Sequence, residues 1–104
     1  MVLTLLDLVK QKPVFDASED KVFWLHNGYT LKNLRELRDA LATMTNSQFN
    51  HHVTETRHDF SDWIRDVLND EVLADDIQTA TDRHQARAIL EQHLNDWYES
   101  RHHA

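Results

Sequence analysis

Apolar residues recur along the chain at two different periods, and the changes between them mark its elements. Val2, Leu5, Leu6 and Val9 fall at i, i+3, i+4 and i+7, which predicts an amphipathic helix over 2–11. A helix that short gains too little from its own hydrogen bonds to persist in water, so it must dock on the domain or exchange with a partner. Pro13 and the polar stretch from Asp16 to Asp20 predict a connector after it. The residues from Lys21 to Leu31 then read as strand, because Val22-Phe23-Trp24-Leu25-His26 is β-branched and aromatic and leads through Asn27-Gly28 into Tyr29-Thr30-Leu31. Asn-Gly favours a two-residue type I′ turn. That turn sets His26 opposite Tyr29, Leu25 opposite Thr30 and Trp24 opposite Leu31. One face then carries Val22, Trp24, His26, Tyr29 and Leu31, and the other Phe23 and Leu25. A two-stranded ribbon apolar on both sides needs cover from helices or from a second copy.

From Asn33 onward the period is 3.6. Asn33-x-x-Glu36 forms a capping box ahead of the stripe Leu34, Leu37, Leu41 and Met44, and Thr45-x-x-Gln48 opens a short helix carrying Phe49, His52 and Val53 on one face. Asp59 is the expected cap of the next helix, with Phe60, Trp63, Ile64, Val67 and Leu68 as its stripe. Asn69-Asp70 breaks that pattern, and Val72, Leu73, Ile77 and Ala80 resume it. The last helix starts near Thr81 or Asp82 and runs through Ala86, Ile89, Leu90, His93, Leu94, Trp97 and Tyr98. The pattern predicts a mainly α protein: an N-terminal helix and connector over 1–20, a hairpin over about 21–31, then four to five helices within 21–99, and a frayed tail over 100–104.

Composition narrows the possible chemistry. With one Gly, one Pro and no Cys in 104 residues, the chain cannot build a disulfide scaffold, a Cys-ligated zinc or iron–sulfur site, a P-loop or a dinucleotide fingerprint. All-β folds, which spend Gly and Pro on tight turns, are disfavoured as well. Eighteen acidic side chains against eleven basic ones give a net charge of −7 with neutral histidines, which opposes binding to nucleic acid or anionic lipid. Eight histidines would bring that charge close to zero on protonation, so solubility or assembly should change between about pH 7 and pH 5. No apolar run reaches the length of a membrane span, and residues 1–9 lack a basic leader pattern, so a cytoplasmic location is expected.

The densest polar cluster is His51-His52 with Arg57-His58-Asp59. Imidazoles with a carboxylate suit zinc or another transition metal, which makes His51, His52, His58 and Asp59 an alternative metal site with a regulatory or hydrolytic role. The spacing lacks the i, i+4 histidine pair of a helical metal motif. His52 also shares its face with Phe49 and Val53, which favours a core histidine bonded to a backbone carbonyl or an aspartate. No cofactor is implied. The serines occupy cap, loop and surface positions and none sits in a nucleophile elbow, so no enzyme activity is expected. Residues 59–80 have helix-turn-helix proportions, yet Glu71, Asp75 and Asp76 on the second helix would repel phosphate. The most suggestive feature is the aromatic hairpin. Phe23, Trp24, Leu25 and Tyr29, with Leu5 and Leu6 of the first helix, are the expected interaction residues of a protein-binding, self-associating module.

Phe23-x-Leu25-x-Asn27-Gly28, Leu31-x-Asn33-Leu34-x-x-Leu37, Phe49-x-His51-His52-Val53, Asp59-Phe60-x-x-Trp63-Ile64 and Asp70-x-x-Leu73-Ala74 together resemble an uncharacterised family of archaeal and bacterial modules. The resemblance spans about residues 22 to 78. It implies a small, mostly helical accessory module and no activity, and it leads one to expect Asn where this chain has His58.

Overall fold

The computed structural model describes residues 12–98; the expected helix over 2–11, with Leu5 and Leu6, and the tail over 100–104 lie outside the described residues. Strands β1 (Phe23–Trp24) and β2 (Thr30–Leu31) pair antiparallel, with Phe23 opposite Leu31 and Trp24 opposite Thr30. The register is one residue away from the one that Asn27-Gly28 predicts. The Leu25 N–H donates to the Tyr29 carbonyl (2.8 Å) and the Gly28 N–H to the Leu25 carbonyl (2.9 Å), which makes His26-Asn27-Gly28 a three-residue loop. Gly28 sits at φ +93°, the left-handed residue that such a loop needs. A one-residue slip exchanges faces, so Leu31 joins Phe23 and Leu25 on the inner side, while Trp24 and Thr30 face outward. The ribbon therefore has one buried face, not two.

Five helices follow among the described residues: α1 (Leu34–Thr43), α2 (Asn46–His52), α3 (Asp59–Asp66), α4 (Glu71–Ile77) and α5 (Arg83–Trp97). Each begins at a side-chain cap. Asn33, Thr45, Asp70 and Asp82 accept the N–H of Glu36, Gln48, Leu73 and Gln85 respectively. At α3 the cap is His58, not the expected Asp59: its Nδ1 accepts the Ser61 N–H at 3.2 Å. Asp59 is the first residue inside the helix, where its charge still favours the helix N-terminus.

The mainly α class and the single hairpin agree with the periodicity. Leu34, Leu37, Leu41 and Met44 of the first stripe are buried, as are Phe60, Trp63 and Ile64 of α3 and Ala86, Leu90 and Leu94 of α5. Helix α3 packs on α4, α4 on α5 and α1 on α5. The hairpin closes the core at its aromatic end: Phe23 stacks on Phe60 with centroids 4.9 Å apart and meets the edges of Trp63 and His52. Val72 departs from its expected stripe and lies on the surface, 65 % exposed.

Candidate functional site

The histidine cluster is built from the C-terminal turn of α2, the start of α3 and the hairpin loop. His52 is buried, and both ring nitrogens are engaged. Its Nε2 accepts the His26 backbone N–H at 3.0 Å, which places the ring proton on Nδ1, 3.0 Å from the Asp59 carboxylate that receives it. Asp59 also pairs with Arg57 Nε at 3.1 Å. The ring of His51 lies face to face with that of His26, centroids 3.7 Å apart, and Arg57 donates to the His51 carbonyl. Desolvation, and then the neighbouring His26 and His52, hold the His51 imidazole below its ordinary pKa.

His58 lies apart from this group. An isolated antiparallel bridge between Val53 and His58 closes the 54–57 loop and brings His58 under the chain at Ile77 to Ala80, where its ring is buried. Burial lowers its pKa, and the nearby backbone carbonyls offset only part of that. Protonation at Nδ1 would also end its acceptance of the Ser61 N–H.

His51, His52, His58 and Asp59 are each engaged in other contacts in the structure. Among the described residues no group of three or more His, Asp or Glu side chains is placed to hold a metal ion. The reason is structural: His52 and Asp59 bond each other and bridge to the hairpin, His51 stacks, and His58 caps a helix. His52 matches the core histidine with an aspartate partner, except that its backbone partner is an N–H and not a carbonyl.

Of the expected interaction residues, the hairpin separates two pairs. Phe23 is only 8 % exposed and Leu25 is equally buried, so both belong to the core. Trp24 and Tyr29 are 67 % and 73 % exposed. The hydrogen bond between Leu25 and Tyr29 fixes the ladder's alternation: 25/29 and 23/31 are bonded pairs, and 24/30 is the non-bonded pair between them. The N–H and C=O of Trp24 consequently point away from β2, toward the free edge of β1. The His52 ring takes up the His26 N–H on that edge, and just before the strand the Trp63 indole N–H donates to the Lys21 carbonyl at 2.9 Å. Among the described residues nothing bonds the Trp24 N–H or C=O on that edge, and a large aromatic side chain lies beside it.

A second polar centre escaped the periodicity. Asp70, buried at the start of α4, accepts from the Leu73 N–H and the Tyr98 hydroxyl and pairs with Lys12 at 3.5 Å. Burial opposes its ionisation, yet these donors outweigh it and keep the carboxyl below the usual range. Desolvation and the adjacent carboxylate push the Tyr98 phenol well above its ordinary value. The only signal in the chain is Asp70-x-x-Leu73, an N-cap spacing, and nothing local announces that Tyr98 reaches it.

Among the described residues no helix is long and apolar enough to cross a membrane. No family model, no curated protein and no solved structure matches this chain.

Proposed function

We propose that this protein is a non-enzymatic interaction module that associates with a second copy of itself through the outer edge and face of its hairpin. The observation that carries the reading is Trp24, 67 % exposed beside an open backbone edge on an otherwise well-packed ribbon. An antiparallel edge is self-complementary, so Trp24 of one copy can exchange both backbone hydrogen bonds with Trp24 of another about a two-fold axis. Burying two indoles adds apolar area that a lone ribbon edge lacks. Non-enzymatic character accords with how several polar side chains are used: Ser61 spends its hydroxyl on the Ala74 carbonyl, His58 caps a helix and His52 pairs with Asp59. A protein partner suits the acidic surface better than phosphate does, since Asp75 of α4 is exposed and already pairs with Arg65.

Light scattering at micromolar concentrations tests the reading, with a dimer expected for the native chain and a monomer for Trp24→Ser. A native chain that is strictly monomeric up to several hundred micromolar would overturn it. Phe23→Ala is unsuitable as a probe, because Phe23 holds the core and its loss would destabilise the fold itself.

A further inference from the structure

The chain holds six asparagines, and the structure sets one of them apart. An asparagine loses its side-chain amide when the backbone nitrogen of the next residue attacks its Cγ, a step that needs a flexible and unshielded peptide. Asn46, Asn50 and Asn95 lie within α2 and α5, where helical dihedrals hold that nitrogen away from Cγ. Asn33 is buried, its amide nitrogen committed to Asp16 and its Oδ1 to the Glu36 N–H. Asn69 precedes Asp70, whose N–H donates to the Ile64 carbonyl at 3.2 Å and whose carboxylate is held by Leu73 and Tyr98.

Asn27 is placed differently. It is exposed in the hairpin loop, and the residue after it is Gly28, which has no side chain to shield the peptide nitrogen. A Cβ built at Gly28 would meet nothing within 4 Å, so neighbouring groups do not hinder that peptide either. The Tyr29 N–H donates to Asn27 Oδ1 at 3.0 Å, which polarises the side-chain carbonyl and folds it back over the turn. One contact opposes attack. The Gly28 N–H donates to the Leu25 carbonyl at 2.9 Å, and that bond has to open before the nitrogen can react.

We propose that Asn27 is a site of self-modification, at which the Gly28 nitrogen attacks Cγ and closes a five-membered succinimide. The bond between Gly28 N and Cγ forms as the bond between Cγ and Nδ2 breaks, and the Gly28 proton leaves with the amide as ammonia. Water then opens the ring. Addition at Cγ leaves an aspartyl residue; addition at the backbone carbonyl leaves an isoaspartyl link, with the chain routed through Cβ and Cγ and one atom longer. Either product carries one more negative charge, and no reactant beyond water is needed. The longer link falls inside the loop that the Leu25 to Tyr29 hydrogen bond closes, so the isoaspartyl form loses that closure. This chemistry does not depend on whether the hairpin meets a second copy.

The test is to hold the native protein in mildly alkaline buffer at 37 °C for several weeks and follow it by ion exchange. A more acidic species should accumulate. Trypsin cuts after Lys21 and Lys32, so the peptide over 22–32 from that species should separate into two products of equal mass, aspartyl and isoaspartyl at position 27. Asn27→Gln, whose longer side chain closes the ring poorly, should abolish the species, and Asn69→Gln should leave its rate unchanged. In urea the same peptide should convert at least about tenfold faster, because opening of the loop no longer limits the attack. The purified isoaspartyl form should melt below the native protein. A native chain that yields no acidic species, or one modified at another asparagine while the peptide over 22–32 stays intact, would overturn the proposal; an isoaspartyl form that melts with the native protein would contradict the loss of loop closure.

Discussion

His58 shows how one side chain can tie stability to pH. Its ring is buried and held below the ordinary value of 6.5, and its unprotonated Nδ1 caps α3. Above about pH 6.5 neither the folded nor the unfolded chain carries a proton at this site, and the cap contributes fully. Below that pH the unfolded chain binds a proton that the folded form resists, so stability falls as the pH drops from about 7 toward 5. His58→Asn keeps a capping acceptor and removes the titration. Its melting temperature should therefore decline less between pH 7.5 and 5.5 than that of the native protein; parallel declines would show that His58 is not the group responsible. Tyr98 offers a second test at this scale. Tyr98→Phe strips one donor from an ionised, buried Asp70, which should cost about 1.5–3 kcal/mol in urea unfolding at pH 7. Asp70→Ala should cost more, because it also uncaps α4 at Leu73.

At the scale of elements, the hairpin turn carries the most specific expectation. Gly28 has φ +93°, and a Cβ built there meets nothing within 4 Å, so any cost of substitution is conformational. Gly28→Ala should destabilise by about 1–2 kcal/mol, and Gly28→Asn by less, since Asn tolerates the left-handed region better. Equal losses in chemical denaturation would contradict a backbone origin. This turn also shows what the sequence could and could not reveal. The helices were legible because apolar spacing at 3.6 reports directly on which face is buried, as Leu34, Leu37 and Leu41 do. The caps at Asn33 and Thr45 were legible from their Glu and Gln three residues on. The register was not. Asn27-Gly28 favours a two-residue turn locally, but the three-residue loop puts Phe23, Leu25 and Leu31 together against the helices, and that burial outweighs the turn preference. Nor was the histidine cluster readable as structure. Adjacent imidazoles and carboxylates look alike in a sequence whether they converge on a metal or, like His52 and His58, are spent on a strand end and a helix cap.

For the whole molecule, the surface proposed to meet another copy is the hairpin edge at Trp24. A net charge of −7 opposes association at neutral pH without preventing it, and protonation of the histidines would remove much of that repulsion. Self-association should strengthen, or solubility fall, between about pH 7 and pH 5; sedimentation that is flat over this range would contradict the charge argument. The three tryptophans report on three environments at once: Trp24 on the hairpin's outer face, Trp63 bonded to the Lys21 carbonyl, and Trp97 on α5 beside Val72 and His93. The most direct measurement is the indole N–H spectrum of the native protein at pH 7.5, followed from about ten micromolar to one millimolar. The Trp24 resonance should move with concentration while those of Trp63 and Trp97 hold still; a Trp24 resonance that stays fixed, or moves only as far as the other two, would contradict association through the hairpin.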